Sequence, residues 1–117
     1  MLKKINRLRL KKDIEALMKQ GQAVYFLFFL VKFKKNGLPE SRYTVITSGK
    51  VHKRAVKRNL AKRRIREIIR LNQNKLAKGY DVAIIVSPKI INKLGKVAVY
   101  QEIEKELISA FKKAGLL

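Results

Sequence analysis

Apolar residues change their spacing several times along the chain, and each change marks an element. Leu10, Ile14, Leu17 and Met18 recur at helical intervals, which predicts a short helix over 13–20, begun near Asp13 and stopped at Gly21. Residues 24–33 are aromatic and β-branched, without Gly or Pro, and predict one strand. Its odd positions (Tyr25, Leu27, Phe29, Val31, Phe33) are apolar throughout and read as the core face. Its even positions run from Val24, Phe26, Phe28 and Leu30 into Lys32 and Lys34, so that face is apolar at one end and basic at the other. Asn36-Gly37 and Pro39 predict a hairpin loop over 34–41, with a second strand over 42–48.

A second helical pattern covers 53–72. At about 100° per residue, Arg58, Asn59, Lys62, Arg63, Arg66 and Arg70 share an arc of about 140°, with Ala61, Ile65, Ile68 and Ile69 largely opposite. Tyr80–Val86 is apolar on both faces, the pattern of a central strand, and Ser87-Pro88 closes it. A polar, basic connection at 89–97 leads to a last helix over 99–114, with Tyr100, Ile103, Leu107, Ala110, Phe111 and Ala114 on one stripe. The order α-β-β-α-β-α predicts an α+β or split βαβ fold, one domain over 1–117 built on a central sheet. Residues 1–12 form a basic arm carrying Lys3, Lys4, Arg7, Arg9, Lys11 and Lys12.

Composition adds a partner to this outline. The 117 residues are 47% hydrophobic, enough for a core, yet 29 Lys+Arg stand against 8 Asp+Glu, a net charge of +21. A compact body repels itself at that charge unless it meets a polyanion, and nucleic acid is the first candidate. There is no Cys and a single histidine, His52, so thiolate chemistry is excluded and a His-based metal site or triad is not expected. No catalytic group and no metal site is expected in the protein. The longest uncharged apolar run, residues 23–31, is too short to span a membrane, which takes about 20 residues. The basic first residues lack the apolar core of a secretory signal, so a cytoplasmic location is expected, with neither a membrane nor a small-molecule substrate as partner.

The charge concentrates between residues 50 and 70, where Lys50, Lys53, Arg54, Lys57, Arg58, Lys62, Arg63, Arg64, Arg66 and Arg70 face one acid, Glu67. Arg58, Lys62, Arg66 and Arg70 form an i,i+4 ladder of like charges, which destabilises a helix unless phosphates lie opposite. Arginine can fork onto phosphate oxygens, and Asn59 in the same arc can both donate and accept, as a ribose 2′-hydroxyl or a base edge requires. A solvated basic face is the ordinary reading of a lysine-rich helix; the arginine share and the overall charge favour nucleic acid here.

The run Lys57-Arg58-Asn59-Leu60-Ala61-Lys62-Arg63-Arg64-Ile65-Arg66-Glu67 resembles the RNR signature of the bacterial ribonuclease P protein family. Ser48-Gly49-Lys50 and Ala55-Val56 precede it, as Ser-Lys-Lys and Ala-Val do in that family. Arg7-Leu8-Arg9-Leu10-Lys11, Gly21, Arg42 and Tyr80-Asp81-Val82-Ala83-Ile84-Ile85 extend the resemblance over about residues 5–114. Three features depart from the pattern: Gly49 replaces the usual Lys, Thr44 the usual Gly, and Ile14 and Met18 occupy positions that often hold aromatics.

The resemblance implies an α+β fold with a left-handed βαβ crossover around the basic helix, where general rules predict a right-handed one. It implies a catalytic RNA subunit, with Mg2+ held mainly by that RNA and by the substrate. Its substrate would be precursor tRNA, with the single-stranded 5′ leader in a groove between the sheet and the first helix. RNA contacts fall on Lys50, Lys53, Arg54, Lys57, Arg58, Asn59, Lys62, Arg63, Arg66 and Arg70. Leader contacts fall on Arg9, Lys11, Lys12, Phe26 and Phe28. Several positions keep two readings. The arm is either solvating charge or a clamp on RNA, and His52 either contacts RNA or lies in an exposed loop. Glu102, Glu106 and Asp81 read as structural acids. A ribosomal or other structural RNA-binding protein is the alternative function for so small and basic a chain.

Overall fold

The computed structural model describes residues 2–117; Met1 of the basic arm lies outside the described residues. Three helices and four strands follow in order: α1 (Lys11–Gln20), β1 (Gln22–Tyr25), β2 (Phe29–Lys35), β3 (Arg42–Ile46), α2 (Ala55–Asn72), β4 (Tyr80–Val86) and α3 (Tyr100–Ala114). Short 3-10 turns stand at Lys4–Asn6 and Pro88–Ile90.

The segment expected to be one strand over 24–33 is a hairpin. The chain reverses at Phe26–Phe28, and β1 pairs with β2 from Gln22↔Phe33 to Tyr25↔Leu30. The reversal needs neither Gly nor Pro, because other groups hold it. The Phe26 N–H donates to the Phe29 carbonyl at 2.8 Å, and the Phe28 N–H donates to the Glu106 carboxylate on α3. A reversal breaks the alternation of faces. Phe29, Val31 and Phe33 are buried as the period predicts, but β1 buries its even residue, Val24, opposite Val31. Tyr25, read as core, is 72% exposed, and Leu27 is on the turn, 57% exposed.

Nor is the loop at 36–41 a hairpin. The sheet order is β1-β2-β4-β3, with β4 antiparallel to β2 and parallel to β3. Strand β4 is apolar on both faces and is best buried with a neighbour at each edge, so it enters between the two strands that precede it. The Asn36 loop crosses its start. There the Asn36 N–H donates to the Gly79 carbonyl at 2.8 Å and Asn36 Nδ2 donates to Asp81 Oδ1 at 3.0 Å. The crossover to which the resemblance assigns a left-handed sense is therefore β3–α2–β4.

One face of the sheet (Phe29, Val31, Val45, Val82, Ile84) packs with Ile65, Ile68 and Ile69 of α2 and Ile103, Leu107 and Phe111 of α3. The other face carries α1 and the segment that leads into it. Leu8 and Leu17 meet Ala83 there, flanked by Ile14, Met18, Ile46 and Ile85. Helix α1 begins at Lys11 rather than Asp13, and Asp13 in its first turn reaches Arg42 at 3.4 Å. Gly21 ends α1 in an extended conformation, so it supplies no left-handed turn. A Cβ there would stand 2.5 Å from the Leu17 carbonyl oxygen, and this close approach is what requires glycine.

Candidate nucleic-acid interface

Helix α2 has no side-chain N-cap and no acid in its first turn. Its stability comes from tertiary burial: Ala61, Ile65, Ile68 and Ile69 are fully enclosed. That burial also fixes its rotation. On a wheel of about 100° per residue, with Arg58 as zero, these four residues occupy the arc from about 280° through zero to about 20°. The open face therefore centres near Asn59, Arg63 and Arg70, not on the middle of the i,i+4 ladder.

The ladder is divided as a result. Arg58, half-buried, turns back: its Nη1 donates to the His52 carbonyl at 2.7 Å and the Lys53 carbonyl at 2.9 Å. It fixes the loop that leads into α2. Lys57 and Lys62 are also half-buried, whereas Lys50, Lys53, Arg54, Asn59, Arg63, Arg66 and Arg70 are exposed. Arg64, which interrupts the apolar side of the wheel, donates to the Ala98 carbonyl at 2.6 Å. His52 Nδ1 accepts the Arg54 N–H at 3.1 Å, so this imidazole shapes the loop.

Among the described residues, one ion pair involves a cation of α2: Arg70 with Glu67. The Arg70 hydrogen bond holds the Glu67 carboxyl below the usual carboxylate range, and Glu67 in turn raises Arg70. Among the described residues Arg63 and Arg66 form no ion pair, although Glu67 lines the same groove. An arc of free guanidiniums beside an amide can grip phosphate oxygens and read a sugar or base edge.

The basic arm lies along the molecule from Leu2 onward. Leu2, Asn6 and Leu8 are buried, and Arg7 forms a single parallel bridge to Tyr43 on β3. Between this segment, the β3 edge and α2 runs an open groove of about 970 Å³. Arg7, Arg9, Arg63 and Arg66 stand around it.

A second surface opens on the α1 side of the sheet. Strand pairing places Tyr25, Leu30, Lys32, Ile85 and Ile46 on that face, and α1 covers only part of it. Lys32 donates to the Met18 carbonyl and Lys34 Nζ to Gln20 Oε1 at 2.7 Å, which ties the C-terminal end of α1 to β2. Arg9, Lys11 and Lys12 are exposed at its N-terminal end.

Two expected leader contacts are not on this surface. Phe28 is buried, edge-on to Phe29 with ring centroids 6.1 Å apart. Phe26 is half-buried against the core beside α3, with Lys113 Nζ 5.7 Å from its ring centroid. The hairpin turn carries both away from the α1 face and puts Tyr25 there. Periodicity could not have found Tyr25, because the reversal changes its parity. The one available signal was length: a ten-residue strand is about twice the common 5–6.

Among the described residues no three His, Cys, Asp or Glu side chains come together as metal ligands. Asp81 is spoken for: its two oxygens accept from Arg42 Nε at 2.8 Å and Nη2 at 2.7 Å.

A family model described as Ribonuclease P matches residues 2–115. The ribonuclease P protein component of Thermotoga maritima is 37% identical over 101 residues, covering 86% of each chain. That of Fusobacterium nucleatum is 34% identical over 113 residues, covering 97% of this chain and all of the relative. Among solved structures, the RNase P protein from Thermotoga maritima in complex with 1-(4-fluorophenyl)-2-thiourea superposes with a TM-score of 0.83 at 33% identity, over 92% of this chain and 98% of that one. A Staphylococcus aureus RNase P protein mutant shares the fold, with a TM-score of 0.85 at 24% identity, over 97% and 92%.

Proposed function

Because the chain belongs to the ribonuclease P protein family, whose members are the RNA-binding subunit of the holoenzyme that processes tRNA 5′ ends, we propose a division of labour between its two open surfaces. The exposed arc of α2 (Asn59, Arg63, Arg66) with Lys50, Lys53 and Arg54 holds the catalytic RNA. Arg58 positions the loop for that contact, and Lys57, Lys62 and Arg70 add to the field. The uncovered part of the sheet beside α1 takes the single-stranded 5′ leader of precursor tRNA. Tyr25 offers a ring for base stacking, and Arg9, Lys11 and Lys12 attract the backbone.

The observation that carries this reading is the cationic arc of α2, which costs helix stability and, among the described residues, is paired with no acid other than Glu67. In this reading the chain contributes binding and orientation, while Mg2+ belongs to the RNA and substrate. Location in the cytoplasm follows from the reading; among the described residues no helix is long and apolar enough to cross a membrane. The family match does not favour the ribosomal alternative.

The test is precursor tRNA cleavage at low Mg2+ by a bacterial ribonuclease P RNA alone, by this protein alone, and by both. Activity only in the mixture is expected. Cleavage by the protein alone, or no rescue of a compatible RNA, would overturn the proposal. Tyr25→Ala should weaken precursor tRNA while leaving mature tRNA and the RNA subunit unaffected.

A further inference from the structure

The groove between α2, the N-terminal segment and β3 is built differently from a phosphate-binding strip. Its floor is apolar: Leu2, Leu8, Val45, Val56 and Leu60 line it. Val56 is 76% exposed although it lies on the cationic face of α2, with Asn59 and Arg63 one turn and two turns further on. A valine there serves no core, and it lowers the charge density of a face otherwise made for phosphates.

Polar groups converge on the same floor. Asn59 and Thr44 line the groove. The Leu8 N–H donates to the Tyr43 carbonyl at 2.9 Å, and the pairing stops after that single bridge. Backbone groups two residues apart on a strand point to the same edge, so those of Val45 face the groove. Arg9, Arg63 and Arg66 also line the groove, together with Glu67, whose carboxylate is paired with Arg70.

An apolar floor, an amide and an open strand edge below, and cations at the rim match one kind of occupant. From this combination we infer that the groove receives an unpaired nucleotide of the catalytic RNA, its base on the Val56–Leu60 floor and its flanking phosphates on the rim arginines. An apolar peptide would leave the cations unmatched, and a paired helix would present only phosphates and leave the floor empty. The inference rests on the reading of α2 as the RNA face and adds a base-specific contact to it, on a different surface from the leader.

The test separates floor from rim in the full-length protein bound to a bacterial ribonuclease P RNA. Val56→Ser removes apolar surface at an exposed site where folding is not at stake; Leu60→Ser probes the same floor, with circular dichroism as the folding control. Each is expected to weaken RNA binding by about three- to tenfold, the worth of one or two methyl-sized contacts, with the salt dependence unchanged. Arg63→Gln with Arg66→Gln should weaken binding and flatten the salt dependence. Chemical probing of base edges should show one or a few unpaired nucleotides protected by the wild-type protein and reactive again with Val56→Ser. If the arginine variant weakens binding while Val56→Ser binds and protects as wild type does, the groove is not a base site and the α2 reading stands. If neither set of variants weakens binding, both fall.

Discussion

Replacing Arg63 and Arg66 together by glutamine removes two positive charges from the open face of α2 while keeping an unbranched polar side chain of similar helix propensity. Both residues are exposed, and among the described residues neither side chain forms an ion pair or hydrogen bond within the protein, so the fold loses little. What changes is the number of phosphates neutralised. Each contact contributes about 0.7–0.9 to the slope of log affinity against log salt, so two contribute about 1.6. Relative to about 1 M salt, where this contribution vanishes, the loss grows to about 40-fold at about 0.1 M. Filter binding or anisotropy with the RNA subunit, at four or five salt concentrations, measures both slope and intercept. Arg58→Gln is the contrast. Its guanidinium Nη1 is engaged by two loop carbonyls, so it should lower affinity with less effect on slope. If the double variant lost affinity equally at all salt concentrations, or kept the wild-type slope, these arginines would not be phosphate contacts.

Gly49 has no positive φ, and a Cβ added to it would meet no atom within 4 Å. Gly49→Lys should therefore fold normally and tighten RNA binding by adding one charge, raising the salt slope by about 0.8. Glu67→Gln should also tighten the RNA, since it removes the one acid of the arc and frees Arg70. The same pair predicts a pH effect on stability. The Glu67 carboxyl titrates below its unfolded value, so its small surface contribution is present above that value and fades as pH falls through the folded one; Glu67→Gln should lack this component in acid unfolding curves. Arg42→Ala should cost about 2–4 kcal/mol in urea unfolding, because it leaves the buried Asp81 carboxylate without its bidentate partner and releases Asp13 of α1. Combined with Asp81→Ala it should cost less than the sum of the single changes, as expected for one coupled network.

Two kinds of information were distributed differently between the sequence and the fold. Local patterns carried the elements: Tyr80–Val86 was readable as a central strand because both its faces are apolar, and the stripe from Tyr100 to Ala114 as a helix because its period is about 3.6. The RNA-binding segment was equally legible, since clustered like charge on a helix is costly and Arg58-Asn59 falls in a recurrent arrangement of residue types. These features need no knowledge of distant neighbours.

What the tertiary structure alone decided was which face each residue presents. The hairpin reversal at Phe26–Phe28 is held by Glu106, 78 residues beyond Phe28, and it sends Phe28 into the core and Tyr25 out to the open sheet. The entry of β4 between β2 and β3 turned an expected hairpin loop into a crossing. On α2, packing against α3 and the sheet set the rotation that ties Arg58 to loop carbonyls and leaves Arg63 and Arg66 free. Side-chain period reports only alternation within a segment. Where a turn resets the parity, or a remote strand sets the burial, the deciding contacts lie far away along the chain and only folding brings them together.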